Sequence, residues 1–276
     1  MVLSVVGVSH VFPGAVGDLS VLGDIDLEVR SGEFVAIVGP SGCGKTTLLN
    51  LMSGLDRPSV GSVELRGAPP VAGMPDLGYL FARDALLPWR TVLGNAELAL
   101  ELRGVGRAER RDAAARLLGQ VGLAGFEDRY PAQLSQGMRQ RVAIARTLVA
   151  HPSVLFLDEP FSALDAHTKL LLQETFSELW GGLGSTVVLI THDLGEAVAM
   201  ADRVVLMTRR PGRIKRVVTV DIPRPRSPMA LQDDAEYHRV FDQLWEELRQ
   251  EVVESAEGIL PAGSVEREGS PLWAQH

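Results

Sequence analysis

Short apolar runs alternate with helical patterns through most of the chain. Uncharged runs rich in β-branched residues occupy positions 34–38, 154–157, 186–190 and 204–207 and are typical of strands buried on both faces. Apolar residues recur at helical spacing between them, above all over 166–183. Strands that alternate with helices predict a parallel sheet with right-handed crossovers, and such sheets bind ligands at the carboxyl ends of their strands.

The N-terminal part of the chain has a different pattern. Strand-like runs at 2–8, 19–29 and 63–65 flank turn-rich sequence, and in the second of them apolar and acidic residues alternate. Alternation favours strands with one buried and one solvated face. These runs predict a small antiparallel layer beside the parallel sheet.

Helical patterns dominate from about residue 84 to residue 150 and predict an inserted subdomain. Thr91 caps a predicted helix that runs to Arg103, and a second predicted helix spans 107–121. A further strand is predicted at 77–81. Prolines at 221–234 predict a linker, an amphipathic helix is predicted over 235–253, and the Gly-, Pro-, Ser- and Glu-rich stretch 254–276 is predicted to be disordered.

The sequence GPSGCGKTT follows the first buried run and fits the phosphate-binding pattern G-x-x-x-x-G-K-[ST]. Glycines in such a loop let successive amides face the phosphates, Lys45 lies along the β- and γ-phosphates, and the Thr46 hydroxyl holds Mg²⁺. A chance glycine-rich turn is disfavoured because a strand precedes the loop and a helix follows it. The predicted nucleotide-binding residues of the loop are Gly39, Pro40, Ser41, Gly42, Cys43, Gly44, Lys45, Thr46 and Thr47.

Polar residues follow the other buried runs. Asp158 is predicted to hold Mg²⁺, Glu159 to deprotonate the attacking water, and His192 to stabilise the γ-phosphate in transfer. For the histidine a purely structural role is the alternative. Phe12 is expected either to stack on adenine or to plug the edge of the core. Inward-facing amides are expected to favour a Cys43 thiolate that ATP would protect from alkylation, and a small filler residue is the alternative.

Composition and charge restrict the classes of protein. The chain has 27 basic and 35 acidic side chains and a net charge of −8, which argues against general nucleic-acid binding. Its one cysteine excludes an internal disulfide and fits a reducing compartment. No signal peptide and no membrane-spanning run is predicted.

The stretch 134–146 reads LSQGMRQRVAIAR, and Ser135 there is a good N-cap for a helix. With the motifs above, it resembles the ATP-binding subunits of ABC transporters, whose signature reads LSGGQ or LSGGM. The resemblance covers about residues 1–220 and implies an α/β P-loop NTPase with a mainly parallel core sheet, an N-terminal antiparallel layer and an inserted helical subdomain. It also implies a head-to-tail homodimer in which each subunit completes the ATP site of the other. The residues implied to act in trans are Ser135, Gln136, Gly137 and, in the D-loop 162–165, Asp165.

Two segments, ALLPWRT at 85–91 and RPGRI at 210–214, resemble the nitrate, sulfonate and taurine importer branch of this family. The resemblance implies an ATP hydrolase on the cytoplasmic face of the membrane that energises uptake of a small, often anionic nutrient. Its implied partners are a membrane permease and, indirectly, an external solute-binding protein, with no nucleic acid. A non-transport ABC ATPase and a weakly active regulatory ATP-binding protein are the alternatives.

Two positions depart from the family pattern. Ala82 stands where a glutamine usually follows the strand, and Gln136 replaces the first glycine of the signature. An alanine side chain can neither ligate Mg²⁺ nor position water, so water, Arg83 or Asp84 would have to supply that contact. Gln136 adds a side chain where the phosphate of a partner would approach. Both changes are expected to slow hydrolysis without abolishing binding.

Overall fold

The computed structural model describes residues 1–14, 17–162 and 164–257. The strands are β1 (Leu3–Phe12), β2 (Leu19–Val29), β3 (Phe34–Val38), β4 (Val60–Leu65), β5 (Leu77–Leu80), β6 (Val154–Asp158), β7 (Thr186–Ile190), β8 (Arg203–Met207) and β9 (Ile214–Thr219). The helices are α1 (Lys45–Ser53), α2 (Val92–Ala96), α3 (Leu98–Leu102), α4 (Arg107–Gln120), α5 (Gln136–Leu148), α6 (Ala166–Leu183), α7 (Leu194–Met200) and α8 (Ala235–Glu257).

The central sheet has the strand order β5-β6-β7-β3-β8-β9. Its first five strands are parallel and only β9 runs antiparallel, so the predicted mainly parallel core is confirmed. Every residue of β3, β6 and β7 is buried, as expected for strands covered on both faces. Ile190 pairs with both Ile37 and Asp158. The carboxyl ends of these three strands therefore lie side by side.

The predicted antiparallel layer is present as a second sheet with the order β2-β1-β4. Strand β1 continues to Phe12, beyond the predicted end at residue 8, because Gly7 adopts a φ of 56° where the pairing register shifts and the strand resumes after this irregularity. The apolar face of this sheet shares a core with α1 and with one face of β3. This packing holds the segment between β3 and α1 against the N-terminal sheet.

The predicted helix 91–103 is wrong in its continuity. Thr91 caps α2 as expected and accepts a hydrogen bond from the Gly94 amide at 3.1 Å, but the helix ends at Ala96 and α3 begins at Leu98. The residue between them, Glu97, is buried, and one carboxylate oxygen lies 3.4 Å from Arg110 Nε of α4. Burial of this charge beside its partner accompanies the local break.

The C-terminal helix covers the hairpin formed by β8 and β9. Lys215 and Arg216 of β9 pair with Glu247 and Glu251 of α8 at 2.5–3.7 Å. Helix α8 passes its predicted end at residue 253 and continues to Glu257, while residues 258–276 of the predicted disordered tail lie outside the described residues. Among the helices described, none has the length and apolarity needed to span a bilayer.

Candidate nucleotide site and signature surface

The loop at 39–44 connects the buried strand β3 to the N-terminus of α1. Gly44 caps the helix with a φ of 104°, and a Cβ at this position would lie 2.8 Å from Leu22 Cδ2, so only glycine fits. Lys45 Nζ donates to the carbonyls of Gly39 and Pro40 at 2.8 and 3.0 Å and is nearly buried. The side chain thus folds along the concave side of the loop. This is the position from which an ammonium group reaches bound phosphates.

Two oxygen ligands suited to Mg²⁺ meet where β6 ends. The Thr46 hydroxyl donates to Asp158 Oδ1 at 3.1 Å. Burial raises the pKa of Asp158 above its usual range, the Thr46 hydrogen bond opposes this shift, and Glu159 adds to it. In the described part of the chain, no group of three or more His, Cys, Asp or Glu side chains is placed to bind a metal ion. One carboxylate, one hydroxyl and substrate phosphates form the kind of site that Mg²⁺ prefers, so the residues fit this ion.

Glu159 and His192 form a pair beside the metal-binding position. Glu159 Oε2 lies 3.2 Å from His192 Nδ1, and both side chains are partly exposed. Glu159 adopts a φ of 45°, which a non-glycine residue rarely tolerates, and its amide donates to Ile190 O at 2.9 Å. The sheet therefore fixes this strained backbone. It brings the carboxylate of one strand end to the imidazole of the next.

Phe12 borders the same cavity as the phosphate loop. This cavity is lined by Phe12, Lys45, Thr46, Glu159 and neighbouring residues. The Phe12 ring is 40% exposed and makes an edge contact with His10 at a centroid distance of 4.6 Å. An exposed ring face at the mouth of a phosphate-binding cavity is the arrangement that base stacking requires.

The expectation of a reactive Cys43 is wrong. The side chain is almost fully buried, and burial raises the pKa of the Cys43 thiol even though Lys45 and nearby amides act in the opposite direction. The thiol lies beside Gly39, where an added Cβ would be 3.2 Å from Sγ, and Cys43 belongs to the apolar core that includes Val35 and Ile37 of β3. The alternative, a small apolar filler, describes this residue.

The signature residues lie on a different surface. Ser135 caps α5 and accepts from the Met138 amide at 3.3 Å, while Asp165 caps α6 and accepts from the Thr168 amide at 3.0 Å. That amide holds the pKa of Asp165 below its usual range. These residues line a cavity of their own, which contains no residue of the phosphate loop. The described members of the predicted trans-acting set that line it are Ser135, Gln136, Gly137 and Asp165.

Two details complete this surface. A Cβ added at Gly137 would lie 3.1 Å from Thr168 Cγ2, so the N-termini of α5 and α6 are closely packed. Gln136, which replaces a glycine of the family signature, is exposed. Ala163 of the predicted D-loop lies outside the described residues.

Ala82 lies two residues beyond the end of β5 and is exposed. The Asp84 carboxylate, one of the possible substitutes for the missing glutamine, accepts from Arg139 Nε of α5 at 2.9 Å. Arg146 of the same helix donates to the Asp84 carbonyl at 2.7 Å. Asp84 is therefore occupied in joining this loop to α5.

One contact at the phosphate loop was not foreseen from the sequence. Arg210, in the loop between β8 and β9, donates to the Gly42 carbonyl from Nε at 3.1 Å and from Nη2 at 2.8 Å, and it lines the same cavity as Lys45. The sequence signal was the segment RPGRI, but nothing in the pattern indicates which loop this arginine reaches.

A phosphate loop after a buried strand, with an Asp–Glu pair at the end of another parallel strand, defines a P-loop nucleotide-binding domain. Residues 22–162 match the family model described as "ABC transporter". The chain is 40% identical over 264 residues to the nitrate import ATP-binding protein NrtD of Synechocystis sp., covering 94% of this chain and 99% of that protein. It is 47% identical over 193 residues to the taurine import ATP-binding protein TauB of Yersinia pestis, covering 70% and 76%.

A solved structure agrees with this assignment. The ATP-binding cassette MJ0796, in a dimeric post-hydrolysis state bound to ADP and phosphate, matches with a TM-score of 0.72 at 31% identity, covering 80% of this chain and 100% of that one. The protein therefore belongs to the ABC transporter family as an ATP-binding subunit.

Proposed function

We propose that this ATP-hydrolysing subunit energises an importer for a small, often anionic nutrient, as a homodimer on the cytoplasmic face of a membrane permease. The observation that carries the proposal is the separation of two half-sites on one chain. Lys45, Thr46 and Glu159 line one cavity, whereas Ser135 and Gly137 line another. A head-to-tail pairing of two copies would bring the halves together twice.

The half-site formed by Lys45, Thr46 and Glu159, here called the cis half, supplies groups for phosphate binding and for activation of water. The half-site of Ser135 and Gly137 is the trans half. Lys45 and the amides of the loop neutralise the β- and γ-phosphates. Thr46 and Asp158 are the residues that would hold Mg²⁺, which withdraws charge from the same phosphates. Glu159 accepts a proton from the water that attacks the γ-phosphate in line, and His192, 3.2 Å from Glu159, orients this carboxylate and can donate to the γ-phosphate.

The trans half supplies donors that the cis half lacks. Ser135 already accepts from the Met138 amide, so its own hydroxyl proton is available to the γ-phosphate of a partner. The amides at the N-terminus of α5 point in the same direction and carry the positive end of the helix dipole. Asp165 holds the neighbouring N-terminus of α6 in place. ATP would thus join the two copies.

The relatives support the proposed substrate class. NrtD and TauB are named for nitrate and taurine import, and nitrate is an anion while taurine carries a sulfonate. Solute recognition would reside in the permease and an external binding protein rather than in this subunit. The segment 85–91 and the RPGRI sequence, which resemble this importer branch, favour it over a non-transport ATPase.

Glu159→Gln tests the proposal. The variant keeps the binding residues but loses the base, so it should hydrolyse ATP about 10²- to 10⁴-fold more slowly and accumulate as a Mg-ATP-dependent dimer in size-exclusion chromatography. Glu159→Gln combined with Lys45→Ala is the matched control and should remain monomeric. Full hydrolysis by Glu159→Gln would remove this residue from the role of base.

Ala82 and Gln136 also favour a second candidate, a regulatory protein that binds ATP but turns it over slowly. The steady-state ATPase rate of the unmodified protein assembled with its permease separates the two. Solute-stimulated turnover supports the importer subunit. Stable ATP binding without turnover in that complex supports the regulatory protein.

A further inference from the structure

The loop between β8 and β9, residues 208–213, packs directly onto the phosphate loop. Gly212 donates its amide to Val21 O at 2.8 Å, and its carbonyl accepts from the Gly23 amide at 3.0 Å, so the loop is tied to β2 on both sides of this peptide. A Cβ at Gly212 would lie 2.2 Å from the carbonyl oxygen of Cys43. Only glycine permits this approach, which brings the backbone of 208–213 against the loop that binds phosphate.

Arg210 makes the contact that links the two loops. Its guanidinium donates twice to one acceptor, the Gly42 carbonyl, at 3.1 and 2.8 Å. A peptide unit is planar, so fixing the Gly42 carbonyl fixes the direction of the Cys43 amide that follows it. That amide is one of the donors that the pattern at 39–47 assigns to the phosphates. In the described structure it makes a 3.3 Å bond to Pro40 O within the loop.

The position of Arg210 also brings a permanent positive charge to the nucleotide cavity, which it lines together with Lys45, Thr46 and Glu159. Arginine remains protonated under all physiological conditions and holds a planar, two-donor geometry that lysine cannot reproduce. Among the hydrogen bonds found for the described residues, those of the Arg210 side chain go only to a carbonyl of the phosphate loop. Its placement therefore serves this loop rather than the core.

The far side of the same loop is held by α8. Glu251, which is buried, accepts from the Arg209 amide at 3.3 Å and pairs with Lys215 Nζ at 3.1 Å. The backbone of Arg209 is thus bound to the C-terminal helix, while the side chain of Arg210 is bound to the phosphate loop. The backbone that carries Arg210 is rigidly supported between these two contacts.

We propose that Arg210 is a positioning residue for nucleotide phosphate: it fixes the Gly42–Cys43 peptide within the phosphate loop and thereby sets the affinity for nucleoside di- and triphosphates. The proposal rests on the proposed function only in that the loop at 39–47 binds ATP. Arg210 acts on the phosphates rather than on the base, because its contact is with the loop and not with Phe12. Affinity for adenosine, which has no phosphate, is independent of it.

The test compares Arg210→Ala and Arg210→Lys with Arg213→Ala. Arg213 is the matched control because it lies in the same loop but packs on Gly23, outside the nucleotide cavity. Titration with Mg-ATP, Mg-ADP and adenosine should show that Arg210→Ala weakens both nucleotides about tenfold, or about 1.4 kcal/mol, and leaves adenosine unchanged. Arg210→Lys should restore part of the loss, since an ammonium group can hold the carbonyl without the two-donor fork.

Thermal unfolding without nucleotide distinguishes positioning from folding. Arg210→Ala should melt within a few degrees of Arg213→Ala, and its ATPase KM should rise with little change in kcat. Mg-ATP affinity within twofold of the unmodified protein, or equal losses for ATP and adenosine, would overturn the role of Arg210. Should Arg210→Ala not fold, Arg210→Met, which keeps the length of the side chain without its hydrogen-bond donors, decides by the same criteria. An unmodified protein that binds no Mg-ATP would instead overturn the proposed function.

Discussion

The phosphate loop and the signature residues both lie at the N-terminus of a helix, but they differ in what surrounds them. The phosphate loop is connected on every side: Lys45, Thr46 and the Gly42 carbonyl all have partners on this chain. The signature residues Ser135 and Gln136 have backbone partners within their own helix and otherwise face an open cavity. This difference supports the proposal that the phosphate loop binds nucleotide on its own chain, whereas the signature residues act on the nucleotide of a second copy.

Asp158→Asn should have the largest effect on the connected half. Loss of the carboxylate proposed to bind Mg²⁺ should raise the activation free energy of Mg-ATP hydrolysis by several kcal/mol and slow the reaction about 10³-fold or more. The nucleotide affinity of the variant should no longer depend on Mg²⁺. It should equal the affinity of the unmodified protein measured in EDTA. A variant with normal turnover would exclude Asp158 from the metal site.

Burial of Asp158 also determines whether this variant is more or less stable than the unmodified protein. The folded-state pKa of Asp158 is raised, so its ionisation destabilises the folded protein, and this penalty is present above the folded-state pKa and absent below the unfolded one. Without nucleotide, Asp158→Asn should therefore melt at or slightly above the unmodified protein near neutral pH, and the difference should vanish in acid. A lower melting temperature of the variant near neutral pH would contradict the conclusion that ionised Asp158 destabilises the folded protein.

Ser135→Asp should separate the two halves. Aspartate is as good an N-cap as serine, so α5 should keep its stability, but a carboxylate would face the γ-phosphate of the partner. Hydrolysis should fall about 10²-fold, while Mg-ATP affinity of the monomer stays within about twofold. Calorimetry and an ATPase assay on the same preparation measure both, and Ser135→Thr is the conservative control. A matching loss of monomer affinity would place Ser135 in the cis site.

Ala82→Gln should restore a side chain that can position water or Mg²⁺ next to the connected half. Since one hydrogen bond contributes about 0.5–1.5 kcal/mol, we expect transport-coupled ATPase activity to rise roughly two- to tenfold. Ala82→Leu, similar in bulk but without polar atoms, is the control. An unchanged or lower rate in the complex with the permease would show that Ala82 does not limit turnover.

The smallest effect concerns Cys43. Because burial raises its pKa, alkylation of the folded protein should be slow at neutral pH, with or without Mg-ATP, and should increase only above the usual titration range of a thiol. Labelling in denaturant, at the ordinary rate of a free cysteine, is the control. Rapid labelling of the folded protein at neutral pH would contradict the buried position.

Much of this arrangement could be predicted from the sequence, because buried parallel strands and phosphate loops have strong local patterns. The runs at 34–38 and 186–190 are strands at those positions, and a helix follows the phosphate loop as predicted. The predictions that were wrong concern features that depend on contacts between distant segments. The pKa of Cys43 is set by packing against the sheet, and the break at Glu97 involves Arg110.

The pairing of Arg210 with Gly42 joins residues 168 positions apart, and no local pattern encodes it. The same holds for Lys215 and Glu251, which join β9 to α8. These ion pairs depend on a helix that begins only after the proline-containing linker. Local pattern therefore predicts which elements form, and long-range packing decides which side chains reach the site.

The central claim, that each ATP site is shared between two copies, is tested most directly by complementation. Lys45→Ala removes the cis half and Ser135→Asp removes the trans half, so each variant alone should be nearly inactive. Heterodimers of the two, isolated through different affinity tags, contain one site with both defects and one intact site. We predict that they recover about half of the unmodified activity per dimer. Heterodimers no more active than either variant alone would contradict a shared site.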